Sequence, residues 1–280
     1  MDFIDTHQHL IWRDRFGYSW TNDIPTLSSG DFTPKDYAAL SRDKGVSGTL
    51  FMEAAVDDQY YQDEARFVAG LVGQNNLLGQ IVSCRPEYDE GFERWLEECA
   101  QLNVVGLRRI LHVMPDELSQ TAPFRENLRK IGRAGLPFDL CMLARQAPLA
   151  LDLVRTCDEQ VFVLDHCGVP DIVSGAFDEW ARGITAIAAF PNVTIKLSGI
   201  AAYCAPGTAS VATLRPWVEH VLECFGAKRI VWGSDWPVVN LGCDLRTWID
   251  MTRELIAKLS PTEQLDIAQL NARRVYGLKN

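Results

Sequence analysis

The amino-acid sequence predicts an α/β protein of the (β/α)8 (TIM) barrel class, and three observations carry that expectation. Eight short apolar runs alternate with longer helical stretches from one end of the chain to the other, the signature of repeated βα units. The runs are nearly continuous in Val, Ile, Leu and Phe, as parallel strands buried on both faces require. The length of 280 residues suits one barrel, since such barrels typically need about 250 residues. One domain over 1–280 is therefore expected, without a linker or low-complexity segment.

The elements follow in order. Strand one is expected over 2–6, and His7 and His9 lie at its end. Residues i and i+2 of an extended strand share a face, roughly 6.5 Å apart. Both imidazoles therefore look into one space, where they can ligate a divalent metal or donate to a substrate oxygen. A long loop over 10–32 carries Trp12, Arg13, Phe16, Tyr18 and Trp20, and a connection of that length is usually functional. Thr33 and Pro34 then open a helix as N-cap and first residue. Strand two, 48–54, ends near Glu53, and a helix over 58–73 follows.

Strand three is expected over 79–84, with a helix bearing Phe92, Trp95, Leu96 and Cys99 on one face. Strand four, 104–110, contains Arg108 and Arg109 and is followed by His112. A helix between Pro123 and Gly135 leads to strand five, 137–142, and Pro148 starts the next helix, through Val154. Strand six, 161–165, runs into His166-Cys-Gly-Val-Pro170. A helix near 177–190 precedes strand seven, 192–197, and Ser198-Gly199. A loop with Tyr203 and a helix over 217–225 lead to strand eight, 229–232, and the loop Gly233-Ser-Asp-Trp-Pro237. Helical stretches over 244–259 and 261–276 remain, the second an extra C-terminal helix capped by Ser260 and packed on the barrel wall.

Composition excludes several classes of function. A net charge of −10 and a sequence pI near 5.0 argue against a nucleic-acid groove, which needs clustered Lys and Arg. The eight cysteines are scattered with no Cys-x-x-Cys pair, so they read as small buried thiols of a cytoplasmic protein. No apolar stretch approaches 18 residues, and the N-terminus lacks a signal-peptide layout. Neither export nor a membrane location is expected.

Strand C-termini form the active face of such barrels, and the reactive side chains collect there. His7 and His9 end strand one, Glu53 strand two, and His112, His166 and Asp235 follow strands four, six and eight. A hydrolytic site needs a proton acceptor for water, groups that stabilise an oxyanion, and optionally a Lewis acid. Asp235 can be the acceptor, and His7, His9 and His166 can hold a metal or polarise the scissile carbonyl. One of Arg108 and Arg109 faces the barrel by alternation, where it could grip an anionic or polyhydroxylated ligand. Lys196 and Ser198 share a strand face and suit core hydrogen bonding, whereas His220 belongs on an outer helix.

These motifs are familiar as a set. Ile4-Asp-Thr-His-Gln-His-Leu10, Leu164-Asp-His-Cys-Gly-Val-Pro170, Ile195-Lys-Leu-Ser-Gly199, Ile230-Val-Trp-Gly-Ser-Asp-Trp-Pro237 and Asn271-Ala-Arg-Arg-Val-Tyr-Gly277 resemble the amidohydrolase superfamily. Within it they look most like the amidohydrolase-2 branch of sugar-acid lactonases and pyrone dicarboxylate lactonase. The resemblance implies a lactone substrate opened by water, with Asp235 as general base and His7, His9 and His166 stabilising the oxyanion. It implies one divalent ion, Zn²⁺ foremost, on His7, His9, Asp235 and Glu53, although lactonases of this branch include metal-independent enzymes. Arg108, Arg109, His112, Trp12, Tyr203 and Trp236 are the candidate substrate contacts. Strand five has no His, which argues against a binuclear centre and against the related metal-dependent decarboxylases of unsaturated or aromatic acids. That decarboxylase, and a barrel that binds a sugar acid without catalysis, are the alternative readings. Exposed barrel helices often pair in this family, so the resemblance also allows a homo-oligomer.

Overall fold

The computed structural model describes residues 1–279, and its eight strands run in the order expected. They are β1 (Phe3–Gln8), β2 (Val46–Met52), β3 (Leu77–Ser83), β4 (Val104–Ile110), β5 (Phe138–Cys141), β6 (Phe162–Leu164), β7 (Val193–Leu197) and β8 (Ile230–Trp232). Each pairs in parallel with the next. Closure is made past the end of β8, where Gln8 bridges Trp236. There the Asp235 amide donates to the His7 carbonyl at 2.8 Å and the His9 amide to the Trp236 carbonyl at 2.8 Å. The fold is the (β/α)8 barrel that the apolar runs predict.

Alternation divides the side chains between two cores. Phe3, Phe51, Val82, Leu107, Phe138 and Phe162 face the helical shell. Ile4, Leu50, Met52, Ile81, Val163 and Val231 fill the barrel interior, as the layered packing of these barrels requires. The interior layer is completed from outside the sheet by Ala272 and Tyr276. They belong to a C-terminal run of Pro261–Leu265, a π turn at Asp266–Leu270 and Asn271–Val275. Ser260 and Glu263 start this run with a reciprocal capping box. Asn271 fastens it below β8 by donating to the carbonyls of Ala227 at 2.7 Å and Ile230 at 2.8 Å.

Several helices differ in extent from the sequence expectation. The one placed at 217–225 begins earlier and spans Val211–Phe225, with Pro216 inside it, because the Ser210 hydroxyl caps the Thr213 amide. The one placed at 58–73 is a single turn, Asp58–Tyr60, followed by Tyr61–Ala69. The long loop after β1 has its ends tied by an antiparallel bridge between Ile11 and Phe32. Among the described residues, no helix is long and apolar enough to cross a membrane.

Above the apolar layer lies a layer of buried charge. Lys196 on β7 is fully buried and pairs with Asp139 of β5 and, at 3.1 Å, with Asp165 after β6. Asp139 also accepts from the Tyr276 hydroxyl at 2.9 and 3.1 Å. Burial pushes the Asp139 carboxyl up to about 7 against the opposing pull of Lys196. Removing one partner of such a network leaves uncompensated buried charge, at a cost of about 3–5 kcal/mol. Lys196→Met should therefore lower the unfolding free energy by about that amount, read from urea denaturation at pH 7.5. An unchanged midpoint would show that the network does not hold the barrel.

Candidate active site

The reactive side chains converge above the charged layer, at the C-terminal ends of the strands. His7 and His9 extend from β1 onto one side, with ring centroids 4.8 Å apart. His166 approaches from the end of β6, its ring 4.5 Å from that of His7. Asp235 comes from the closing segment, its Oδ1 lying 3.3 Å from His9 Nε2 and 3.7 Å from His7 Nε2. Two donor groups result, His7–His9–Asp235 and His7–Asp165–His166, each with its ligand atoms within 4.8 Å of one another.

Unusual backbone makes this convergence possible. His166, Cys167, Gly168 and Val169 are consecutive left-handed residues, at φ 54°, 54°, 71° and 48°. For a β-branched Val that conformation is a true outlier, and each non-Gly residue held there costs on the order of 1–3 kcal/mol. Strict alternation would send Asp165 and His166 to opposite faces, but the left-handed turn brings both inward. Asp235, at φ 58°, is turned by the same device. Gly199 supplies the room, because a Cβ there would meet His166 Nδ1 at 2.3 Å and Asp235 Oδ2 at 3.0 Å.

The hydrogen bonds orient each ring. His9 Nδ1 lies 3.1 Å from the carbonyl of Met52 and 3.0 Å from that of Glu53. Carbonyls only accept, so this nitrogen carries the proton and Nε2 directs a lone pair at the Asp235 carboxylate. Two acceptors 3.3 Å apart repel unless a proton or a metal cation lies between them. That arrangement, with the ring's other N–H on backbone carbonyls, is how metal-ligating histidines are oriented. The donor set thus fits a divalent ion that prefers nitrogen and oxygen. His7 Nδ1 faces Asp165 at 3.4 Å and Lys196 at 3.3 Å. His166 Nδ1 is bound by the Ser198 hydroxyl at 3.0 Å.

Electrostatics keep these groups ready to coordinate. Burial holds His7 well below the ordinary imidazole value, despite the opposing pull of Asp165, and it lowers His166 as well. Burial works to raise Asp165, but Lys196 and His7 more than reverse it and hold the carboxylate ionised. In the same way Arg108 overcomes the burial of Glu53. The rings are thus neutral and the two carboxylates charged near neutral pH, as metal ligands and their supports must be.

The structure corrects four of the sequence-based site assignments. Arg108 faces the barrel, with Nε 2.7 Å from Glu53 and Nη1 3.4 Å from Asp165. Arg109 points the other way, pairing with Glu87 at 2.6 Å, as the period of the strand demands. Glu53 is not a metal-ligand candidate, because one oxygen binds Arg108 and the other accepts from the Ala55 amide at 2.9 Å. Trp12 packs edge-on to Phe67 under the helical shell. Trp236 is buried between Phe32 and Tyr37. Both indoles are core, since each packs on a side chain of the surrounding helices, Phe67 or Tyr37. His112 and Tyr203 do stand at the mouth. His112 Nδ1 lies 3.1 Å from Cys141 Sγ, and the Tyr203 ring centroid is 6.1 Å from that of His166. His220 lies on the outer helix Val211–Phe225, its Nε2 3.1 Å from the Ala181 carbonyl.

Asp165 was the residue that sequence reasoning missed. Its signal was alternation itself, since Val163 faces the barrel interior and Leu164 the helical shell, which leaves Asp165 on the inner face. Ser198, assigned to the core, proves to be the orienting partner of His166.

The chain is similar to known proteins over nearly its whole length. A family model described as Amidohydrolase matches residues 4–278. An L-fucono-1,5-lactonase of Burkholderia ambifaria is 28% identical over 242 residues, covering 85% of this chain and 81% of that protein. Two solved structures share the fold. An amidohydrolase from Burkholderia multivorans with bound zinc matches with a TM-score of 0.91 at 22% identity, each chain covered fully. A protein of Pseudomonas putida, provisionally assigned as a 2-pyrone-4,6-dicarboxylic acid hydrolase, matches with a TM-score of 0.76 at 23% identity, with 100% and 98% covered.

The titration of His112 makes a testable link to stability. Burial, with His166 and Arg108 beside it, lowers this ring to about 4, against about 6.5 in an unfolded chain. As pH falls from about 6.5 to 4 the unfolded state takes up the proton first, so stability is full above that window and is lost through it. His112→Gln should lose about 2 kcal/mol less unfolding free energy than the parent between pH 7 and 5. Parallel losses in urea titrations at the two pH values would refute this.

Proposed function

The chain belongs to the amidohydrolase family, and from that premise we propose that it is a hydrolase opening carboxylic lactones, with sugar-acid lactones as its substrate class. The observation that carries the reading is the gathering of three imidazoles around Asp235 at the strand C-termini. The L-fucono-1,5-lactonase relative supports the choice of lactone. Support for hydrolysis over decarboxylation comes from strand five, which ends in Cys141 rather than His.

Asp235 is the general base. Its Oδ1 faces the two β1 imidazoles, whereas Oδ2 lies on the side of Gly199. Oδ2 takes a proton from water as the water oxygen bonds to the lactone carbonyl carbon. When the tetrahedral intermediate collapses, the ring C–O bond breaks and Asp235 returns the proton to the departing alkoxide. His166 donates from Nε2 to the oxyanion while Ser198 holds Nδ1. A well-placed donor of that kind is worth about 3–4 kcal/mol. His7 is steadied by Asp165, and His9 by the carbonyls of Met52 and Glu53. Bound on His7, His9 and Asp235, a divalent ion such as Zn²⁺ supplies Lewis-acid polarisation of the carbonyl and acidifies water.

His112 and Tyr203 contact the substrate at the mouth. Arg108 serves the site differently, as the cation that keeps Glu53 ionised and reaches Asp165 at 3.4 Å.

Two measurements test the proposal. Asp235→Asn should lower kcat for an aldonolactone by about 10²–10⁴-fold, followed by proton release with a pH indicator, and leave the far-ultraviolet circular dichroism unchanged. Parental turnover in that variant would sink the mechanism. Chelation followed by dialysis should abolish activity, and added Zn²⁺ should restore it. Full activity in the metal-free protein would assign His7 and His9 directly to the oxyanion.

A further inference from the structure

The ends of β4 and β5 bring together two polar side chains at the mouth, and lactone opening leaves one of them, Cys141, without a task. On β5, Asp139 enters the charged layer and Leu140 the helical shell. Alternation therefore turns Cys141 inward, one step nearer the mouth than Asp139, and it is buried there. On β4, Arg108 points inward and Arg109 outward. The ladder runs one residue beyond that strand, where the Leu111 amide donates to the Cys141 carbonyl at 3.0 Å. His112 is thereby laid beside Cys141, its Nδ1 3.1 Å from Sγ.

The charge states of the pair decide where the hydrogen lies. Burial pushes the Cys141 thiol well above the ordinary thiol range and lowers His112 to about 4. At neutral pH they are a thiol and a neutral imidazole, which rules out a thiolate nucleophile. Cys141 also lies outside both donor groups of the site, so it is not placed to ligate a metal. Among the described residues, its sulfur has no hydrogen-bond partner other than His112. An imidazole nitrogen is a good acceptor and sulfur a weak one, so the S–H donates to Nδ1. A neutral ring that accepts at Nδ1 carries its own proton on Nε2. That nitrogen has no protein partner among the described residues and is not a buried orphan, so it opens on the mouth.

We propose that Cys141 is a positioning residue, whose thiol fixes His112 as the Nε2–H tautomer so that the ring donates to a hydroxyl oxygen of the bound lactone. The substrate named rests on the lactonase reading, whereas the orientation of the ring does not depend on it. Without the thiol, nothing distinguishes the two ring nitrogens, and the proton is shared between Nδ1 and Nε2.

The first test reads the tautomer directly, by long-range ¹H–¹⁵N correlation on the intact protein with ¹⁵N-labelled histidine. The chain has five histidines, and loss of one set of signals in His112→Gln assigns that ring. The expected result is an unprotonated Nδ1 and a protonated Nε2 in the parent and in Cys141→Ser, and a mixture in Cys141→Ala. A protonated Nδ1 in the parent overturns the proposal. The second test is kinetic. Cys141→Ala should raise KM for an aldonolactone about tenfold, the worth of one hydrogen bond, with kcat changed less than about threefold. Cys141→Ser, which keeps a donor, should return KM to within about threefold of the parent. His112→Ala should match Cys141→Ala, and the double variant should lose no more than either. Additive losses, or a serine variant as impaired as the alanine one, overturn the proposal. Cys141→Val, which also lacks a donor but fills the space, replaces the alanine variant if that one does not fold. If the parent opens no aldonolactone the lactonase reading fails, and the tautomer alone decides the pair.

Discussion

A single buried ammonium organises the interior of this barrel. Lys196, without solvent contact, sits between Asp139 and Asp165, and each carboxylate leads to a different part of the molecule. Through Asp165 the charge reaches His7 and Arg108, and through Arg108 it reaches Glu53. Through Asp139 it reaches Tyr276 on the C-terminal run. Buried charges of this kind are expensive singly and tolerable only when every partner is in place. The active face and the C-terminal run are therefore coupled through one network.

The same network explains why the imidazoles are held neutral. Lys196 and Arg108 keep Asp165 and Glu53 charged, and burial then removes the proton from His7 and His166. Strain at His166–Val169 and at Asp235 is the companion of this arrangement. It places two side chains that a regular strand would separate on the same side of the barrel, and the rigid surrounding sheet sustains it.

Much of this was legible before any coordinates, and the reasons for the exceptions are physical. Strand identity followed from apolar runs bounded by turn residues, and β4 was located to the residue because its run is long and sharply bounded. His7, His9, His166 and Asp235 were legible because they end strands on one face of the barrel. Trp12 and Trp236 misled because sequence places a residue near the mouth without saying which way it points, and packing against helices sent both outward; for Arg108 and Arg109 alternation left one inner place, and the structure gives it to Arg108. Glu53 misled because its partner, Arg108, is 55 positions away. Asp165 escaped notice because attention fell on the adjacent His166; alternation after Val163 already puts Asp165 on the inner face, and the left-handed backbone begins only at His166.

The closure of the sheet has a further consequence for how the chain reaches this state. β1 can pair with β2 early, but its other edge meets Trp232 and residues 234–236 near the far end of the chain, and the Ser234 amide that binds the Asp5 carboxylate is 229 positions distant in sequence. Until that segment is synthesised, β1 is an open edge, and the strand that bears His7 and His9 offers unpaired amides and carbonyls to any passing extended chain. Contacts of such long separation form slowly. The strand that bears His7 and His9 is thus among the last to gain both of its neighbours.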